Sequence, residues 1–200
     1  MWYLRCEMPK KKRIGLVHVY TGDGKGKTTA SVGLGLRATG HGMSVYMIQF
    51  LKGGGHAGEV VACEKFLPTF KVKQFGKSCP YSEEMKRGSM ECDNCKDCFL
   101  SRKEERERVA EALELAEKAV GSGKYDVVIL DEVNNVVSRK LAPVSRVLKI
   151  LNSKKPHVEV VLTGRNAPKE FMEAADYYTV MKRVKHPFMK GMRSRYGIDY

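Results

Sequence analysis

The sequence predicts an α/β protein: a mostly parallel sheet with helices on both faces, plus a cysteine-rich insertion. Three observations predict it. Short unbroken apolar stretches alternate with amphipathic ones along the chain. A glycine-rich, lysine-bearing turn joins the first apolar stretch to the first amphipathic one. Four of the six cysteines crowd into one polar segment. Strands covered by helices on both sides read as continuous apolar runs, and alternation with helices favours a parallel sheet.

Taken in order, residues 14–20 are apolar and partly β-branched, the pattern of a buried strand. A glycine-rich turn at 22–26 leads to a helix over 27–39, stopped by Gly40 and Gly42. Residues 44–50 read as a second strand, 52–58 as a glycine-rich loop and 72–75 as a short strand. The insertion runs from 77 to 99. Ser101 and Glu104 then form a capping box opening a long helix, whose apolar stripe is Val109, Leu113, Ala116 and Val120. That helix ends near Gly121 and Gly123. Residues 125–130 form an unbroken apolar strand running into Asp131 and Glu132. Pro143 opens a helix with Val144, Val147, Leu148 and Leu151 on one face. Residues 158–162 are the next buried strand, Pro168 opens a short helix, and 177–181 is a last strand before a basic tail. One domain over 14–200 follows, preceded by a basic arm at 1–13.

The chain has 200 residues, enough to bury a core, and a net charge of +13. No apolar run spans a membrane, and the basic N-terminus lacks the apolar stretch of a signal peptide, so a cytoplasmic location is expected. The charge invites a nucleic-acid reading. However, bases alternate with acids over 103–118 and lack interleaved aromatics, which is the pattern of solvated faces; no nucleic-acid partner is expected.

The strongest motif is Thr21-Gly22-Asp23-Gly24-Lys25-Gly26-Lys27-Thr28-Thr29. It matches a phosphate-binding loop, G-x-x-x-x-G-K-S/T between strand and helix, with Thr21 in place of the first glycine. Glycines let successive N–H groups converge on phosphate oxygens, and the helix start adds its positive dipole end. Lys27 is expected to neutralise phosphate, and the Thr28 hydroxyl to ligate magnesium. ATP-binding residues are therefore Gly22, Asp23, Gly24, Lys25, Gly26, Lys27, Thr28 and Thr29. Asp131-Glu132 after an apolar strand resembles the second acidic motif of P-loop NTPases, which points to a P-loop NTPase (RecA-like) fold. Arg165 follows another strand end and is placed to reach the phosphates, since ligands of open α/β sheets gather at carboxyl strand ends.

These motifs stand in order with Gln49-Phe50-Leu51-Lys52-Gly53, Leu162-Thr163-Gly164-Arg165-Asn166-Ala167-Pro168, Ala175-Asp176, Val184-Lys185-His186-Pro187 and Gly197-Ile198-Asp199-Tyr200. Together they closely resemble the ATP:corrinoid adenosyltransferases of the cobalamin-synthesis type, in which Thr21's substitution is usual. The resemblance implies attack by a Co(I) corrinoid on the 5′ carbon of ATP, with triphosphate leaving. It implies catalytic roles for Lys27, Thr28, Glu132 and Arg165, with Glu132 favoured over Asp131 as the magnesium partner of Thr28. It places Gln49, Phe50, Lys52, Tyr81 and His186 toward the corrinoid, with Phe75 a weaker candidate. An electron donor (a flavoprotein or other reductant) and a homodimer are further implications.

Cys79, Cys92, Cys95 and Cys98 have the spacing C-x12-C-x2-C-x2-C, a metal signal. Zinc favours paired C-x2-C knuckles, while the tight triple run and Cys79-Pro80 are closer to iron–sulfur ligation, so both stay open. A cluster here is positioned to deliver an electron to the corrinoid. Two rival functions remain: a P-loop nucleoside kinase with a zinc lobe, and a non-enzymatic ATP-dependent nucleic-acid-binding protein.

Overall fold

A computed structural model describes residues 13–90, 97, 99–192 and 194–199. The chain runs β1 (Val17–Thr21), α1 (Lys27–Gly40), β2 (Val45–Gln49), α2 (Gly58–Phe66), β3 (Phe70–Gln74), α3 (Ser82–Lys86), α4 (Arg102–Ser122), β4 (Val127–Asp131), α5 (Val133–Ser138), α6 (Val144–Asn152), β5 (Glu159–Thr163), α7 (Lys169–Ala174), β6 (Tyr177–Val180) and a 3-10 turn at Pro187–Lys190. The six strands form one sheet in the order β3-β2-β4-β5-β1-β6, and every ladder is parallel.

Alternation within the strands builds two cores. On one face Val128 and Leu130 of β4 and Val160 and Leu162 of β5 pack against α4, α5, α6 and α7. On the other, Val127 and Ile129 of β4 and Val161 of β5 join Ala38 of α1 and Cys63 of α2. Helices therefore cover both faces, and the central strands have no polar side, as their unbroken apolar runs require.

The long helix follows the sequence closely. Ser101 accepts from the Glu104 N–H while Glu104 reaches back to the Ser101 N–H, closing the expected capping box. Val109, Leu113, Ala116 and Val120 are all buried, and Gly123 ends the helix in the left-handed region. Three helices carried no clear sequence signal. α2 buries only Val60 and Cys63, too few to define a stripe. α5 is six residues of mostly valine and asparagine, a β-like composition. α3 lies within the insertion.

β5 lies between β4 and β1, and the end of β4 reaches the phosphate loop through the start of α1, where Thr28 donates to Asp131 at 2.9 Å. Of the N-terminal arm, residues 1–12 fall outside the described part. Arg13 is anchored, its guanidinium donating to the carbonyl of His157 and pairing with Asp126 at 3.1 Å. Among the described residues, no helix is long and apolar enough to cross a membrane.

Two outcomes follow from this packing. A methyl added at Gly35 of α1 would lie 2.5 Å from the ring of buried Phe70. Alanine gains about 1 kcal/mol of helix propensity over glycine, but overpacking a core costs about 1–3 kcal/mol. Gly35→Ala is therefore expected to destabilise by about 1 kcal/mol, read as a lower denaturant midpoint; a higher midpoint would refute the close approach.

The second outcome concerns Glu159 of β5. Its carboxylate sits 2.5 Å from His18 Nε2 and accepts from the Leu16 N–H at 3.0 Å, while Tyr177 stacks on the His18 ring. Burial opposes the charge, yet these hydrogen bonds hold its carboxyl below the usual glutamate range. A lowered folded pKa contributes stability that is full above the unfolded value of about 4.3 and drains as pH falls below it. Glu159→Gln should cost about 1 kcal/mol at neutral pH, with wild type and variant converging in acid; a gap that is constant with pH would refute the linkage.

Candidate active site

The phosphate loop is held open by its own backbone and by the end of β6. Gly24 N–H donates to the Met181 carbonyl at 2.7 Å. A Cβ at Gly22 would meet that same carbonyl oxygen at 2.4 Å, so only glycine fits there. Lys27, almost fully buried, donates to the carbonyls of Gly22 and Gly24 at 2.8 and 2.7 Å. Burial pushes its pKa down, offset in part by the carboxylate of Glu132. Thr21 replaces the first glycine at no loss: it is buried, and its hydroxyl accepts the Ala167 N–H at 3.1 Å, tying the loop after β5 to the phosphate loop.

Asp131 ends β4 with no exposed surface. One carboxylate oxygen accepts from the hydroxyls of Thr28 (2.9 Å) and Thr163 (2.6 Å). The other accepts from Gln49 Nε2 (3.1 Å) and Lys52 Nζ (2.8 Å). The carboxylate that hydrogen-bonds Thr28 is Asp131, while Glu132, the expected magnesium partner, lines the same cavity as Thr28. Asp131 is still in the strand, while Glu132 adopts a left-handed turn (φ 67°) and its carboxylate accepts from Asn135. Glu132 shares the cavity wall with Lys27 and Arg165. Its pKa is raised by burial and by the neighbouring Asp131 charge.

A polar cavity of about 820 Å³ opens above the loop. Its wall includes Asp23 through Thr29, Lys52, Glu132, Arg165 and His186, so seven of the eight expected loop residues, all but Gly22, meet there with Lys52, Glu132 and Arg165. The tail closes one side: Lys25 pairs with Asp199 and donates to the Ile198 carbonyl. Asp23 pairs with Arg183 at 3.3 Å. His186 also caps the 3-10 turn, accepting from the Phe188 N–H. Thr28 and Asp131 offer hard oxygens beside the phosphate loop, which suits magnesium.

A second cavity, about 500 Å³ and mainly apolar, lies across the loop at 51–59. Leu51, Phe75, Tyr81, Met85 and Phe99 line it, with Cys79 on the wall. Leu51, Gly53, Gly54 and His56 face this cavity while Lys52, Ala57, Gly58 and Glu59 face the polar one, so a single loop is the partition.

Not every expected contact residue reaches a cavity. Gln49 and Phe50 have no exposed surface and line neither wall. Phe50 is core. Gln49 is the centre of a relay: it donates to Asp131 and Glu59, and accepts from Gln74, which in turn accepts the Gly55 N–H. Lys52, expected at the corrinoid, is on the Thr28–Asp131 corner. Tyr81 lies on the wall of the apolar cavity. Cys92, Cys95 and Cys98 lie outside the described residues. Among the described residues no group of three or more His, Cys, Asp or Glu side chains is arranged to hold a metal, and Cys79 is a free thiol. The sequence reading missed Gln74, Thr163 and Asn135. Thr163 was recoverable as the last residue of a strand ending at the site, but the two amides carry no local signal.

Comparison with known proteins gives a consistent result. Residues 13–200 match the family described as ATP:corrinoid adenosyltransferase BtuR/CobO/CobP. A corrinoid adenosyltransferase of Sinorhizobium sp is 34% identical over 188 residues, covering 93% of this chain and 80% of the relative. One of Escherichia coli K12 is 31% identical over 186 residues, covering 93% and 86%. The corrinoid adenosyltransferase CobA of Salmonella typhimurium is 32% identical over 186 residues, with the same coverage.

Glu132 combines a strained backbone with a desolvated carboxylate, the signature of a residue kept for function at a cost in stability. Glu132→Gly is expected to raise unfolding stability by about 0.5–1 kcal/mol while weakening nucleotide-dependent activity. Equilibrium denaturation beside an activity assay checks both; a less stable variant would show that the turn is not strained.

Proposed function

The chain belongs to the ATP:corrinoid adenosyltransferases, and we propose from that premise how its two cavities divide the transfer of an adenosyl group from ATP to a corrinoid. The polar cavity takes ATP. Gly22 through Thr29 wrap the triphosphate with backbone N–H groups, and Lys27 and Arg165 place positive charge where the leaving triphosphate accumulates it. Magnesium, when bound, would neutralise phosphate charge at the Thr28 hydroxyl, with Asp131 orienting that hydroxyl from 2.9 Å. Glu132 lies nearer Lys27 and Arg165 and sets their position. The support for this reading is the convergence of Lys27, Thr28, Glu132 and Arg165 on one cavity from different parts of the chain.

The apolar cavity, with Tyr81, Phe75 and Leu51, is the surface against which the corrinoid docks. The substrate's reduced cobalt, Co(I), attacks the 5′ carbon of ATP; the C5′–O bond breaks and its electron pair leaves with triphosphate. The protein need supply no nucleophile, only orientation and charge. The stretch at 51–59, which carries Gly53, Gly54 and Gly55, borders both cavities, and the cobalt has to pass its edge to touch the 5′ carbon directly. We assign the fold to the P-loop NTPases of the RecA-like kind, and the working form to a cytoplasmic homodimer served by a flavoprotein or another external reductant.

The four-cysteine segment belongs to the same reading. Cys79 stands on the wall of the apolar cavity, and its spacing to Cys92, Cys95 and Cys98 suits a four-thiolate iron–sulfur or zinc site. Metal analysis of anaerobically purified protein distinguishes the two, and protein free of both metals would remove the proposal.

The deciding experiment is an anaerobic assay with ATP, magnesium and chemically reduced corrinoid. A light-sensitive cobalt–carbon spectrum with one triphosphate per corrinoid is expected, and Lys27→Ala should lower the rate by at least 100-fold, about 2.7 kcal/mol of transition-state stabilisation. ADP formation on addition of nucleosides, with no cobalt–carbon product, would make the protein a kinase.

A further inference from the structure

The corner where Thr28 meets Asp131 already carries a cation. Lys52 reaches into it from the loop after β2, and its Nζ donates to Thr28 Oγ1 at 2.9 Å and to Asp131 Oδ2 at 2.8 Å. Burial opposes its charge more than any other single influence, but attraction and hydrogen bonding to Asp131, with Glu132 and Glu59, together raise its pKa. Asp131 in turn is completely buried and has only this lysine as an ion-pair partner among the described residues.

Magnesium bonds oxygen at about 2.0–2.1 Å. An ion on the Thr28 hydroxyl would therefore sit within a few ångström of the ammonium, and the two charges cannot share the corner at low cost. The lysine backbone is not free to withdraw. Gly76 N–H donates to the Lys52 carbonyl at 2.6 Å, and a Cβ at Gly53 would meet the Lys77 carbonyl oxygen at 2.0 Å, so the loop is clamped against the end of β3. What can move is the side chain, and it borders the polar cavity.

We infer that Lys52 is a built-in counter-cation of the nucleotide site: its ammonium holds the Thr28–Asp131 corner, yields it to magnesium arriving with the nucleotide, and swings onto the triphosphate. This rests on the reading of the polar cavity as the ATP site. It makes Lys52 a positioning and charge-balancing residue, not a contact to the corrinoid.

The test measures metal and nucleotide binding, apart from turnover. Manganese, followed by its electron paramagnetic resonance signal, probes the corner in nucleotide-free protein. Wild type should bind it poorly, and Lys52→Met, which keeps the chain length and drops the charge, at least tenfold more tightly. Calorimetric titration with ATP supplies the converse. With divalent ions chelated, wild type should still bind ATP and Lys52→Met at least tenfold more weakly, with the gap shrinking to about threefold or less once magnesium is restored. Equal manganese affinities, or an ATP deficit in Lys52→Met that is the same with and without magnesium, would overturn the inference. Lys52→Met is used only if its thermal melt stays cooperative. Independently of any variant, wild-type protein that binds magnesium–ATP but no ATP once the metal is chelated overturns the counter-cation role and leaves the ATP site standing. Wild-type protein that binds no ATP under either condition overturns both.

Discussion

One buried carboxylate organises this molecule. Asp131 is fully desolvated, and a buried charge is tolerated only when its hydrogen-bonding capacity is met. Four donors meet it, and each comes from a different place: Thr28 at the start of α1, Gln49 at the end of β2, Thr163 at the end of β5 and Lys52 from the partition loop. Satisfying that one group therefore fixes the phosphate loop, two neighbouring strand ends and the wall between the cavities relative to one another. The parallel sheet makes this possible, because all the strands involved point their carboxyl ends to the same edge.

The same group links the two cavities. From Asp131 the hydrogen bonds pass through Gln49 to Gln74 and on to the Gly55 N–H in the partition loop, with a branch to Glu59. Fully paired buried polar networks rigidify what they join. Here they hold a glycine-rich loop, which would otherwise be loose, in a defined position between a polar cavity and an apolar one. Glu132 shows the opposite tendency: a strained turn and a carboxylate disfavoured by burial, placed next to the cations of the polar wall.

How much of this the sequence disclosed depends on the range of the interaction. The apolar runs of the central strands, the phosphate-loop motif and the capping box of α4 are each written within a few consecutive residues, so the chain states them locally even though the strands pair over long separations. α2 and α5 bury too little, or are too short, to imprint a period. The different settings of Asp131 and Glu132 come with a single backbone angle, φ at residue 132, which no adjacent residue type dictates. Gln49 in isolation reads as ordinary packing. Its function becomes visible only when β3 supplies Gln74 and β4 supplies Asp131 from 82 positions away. Lys52 likewise looks like any loop lysine until α1 and β4 bring Thr28 and Asp131 beneath it.

The partition loop also explains why glycine is concentrated where it is. Gly53 packs so closely on Gly76 and Lys77 that a single added carbon would collide with backbone, and Gly54 takes a positive φ of 96°. The polar side chains of the stretch divide between the cavities, Lys52 and Glu59 on the wall of the polar one and His56 on the wall of the apolar one. Leu51, Gly53, Gly54 and His56 border the apolar cavity, while Lys52 and the start of α2 border the polar one, and the clamp at Gly53 and Gly76 holds that division in place.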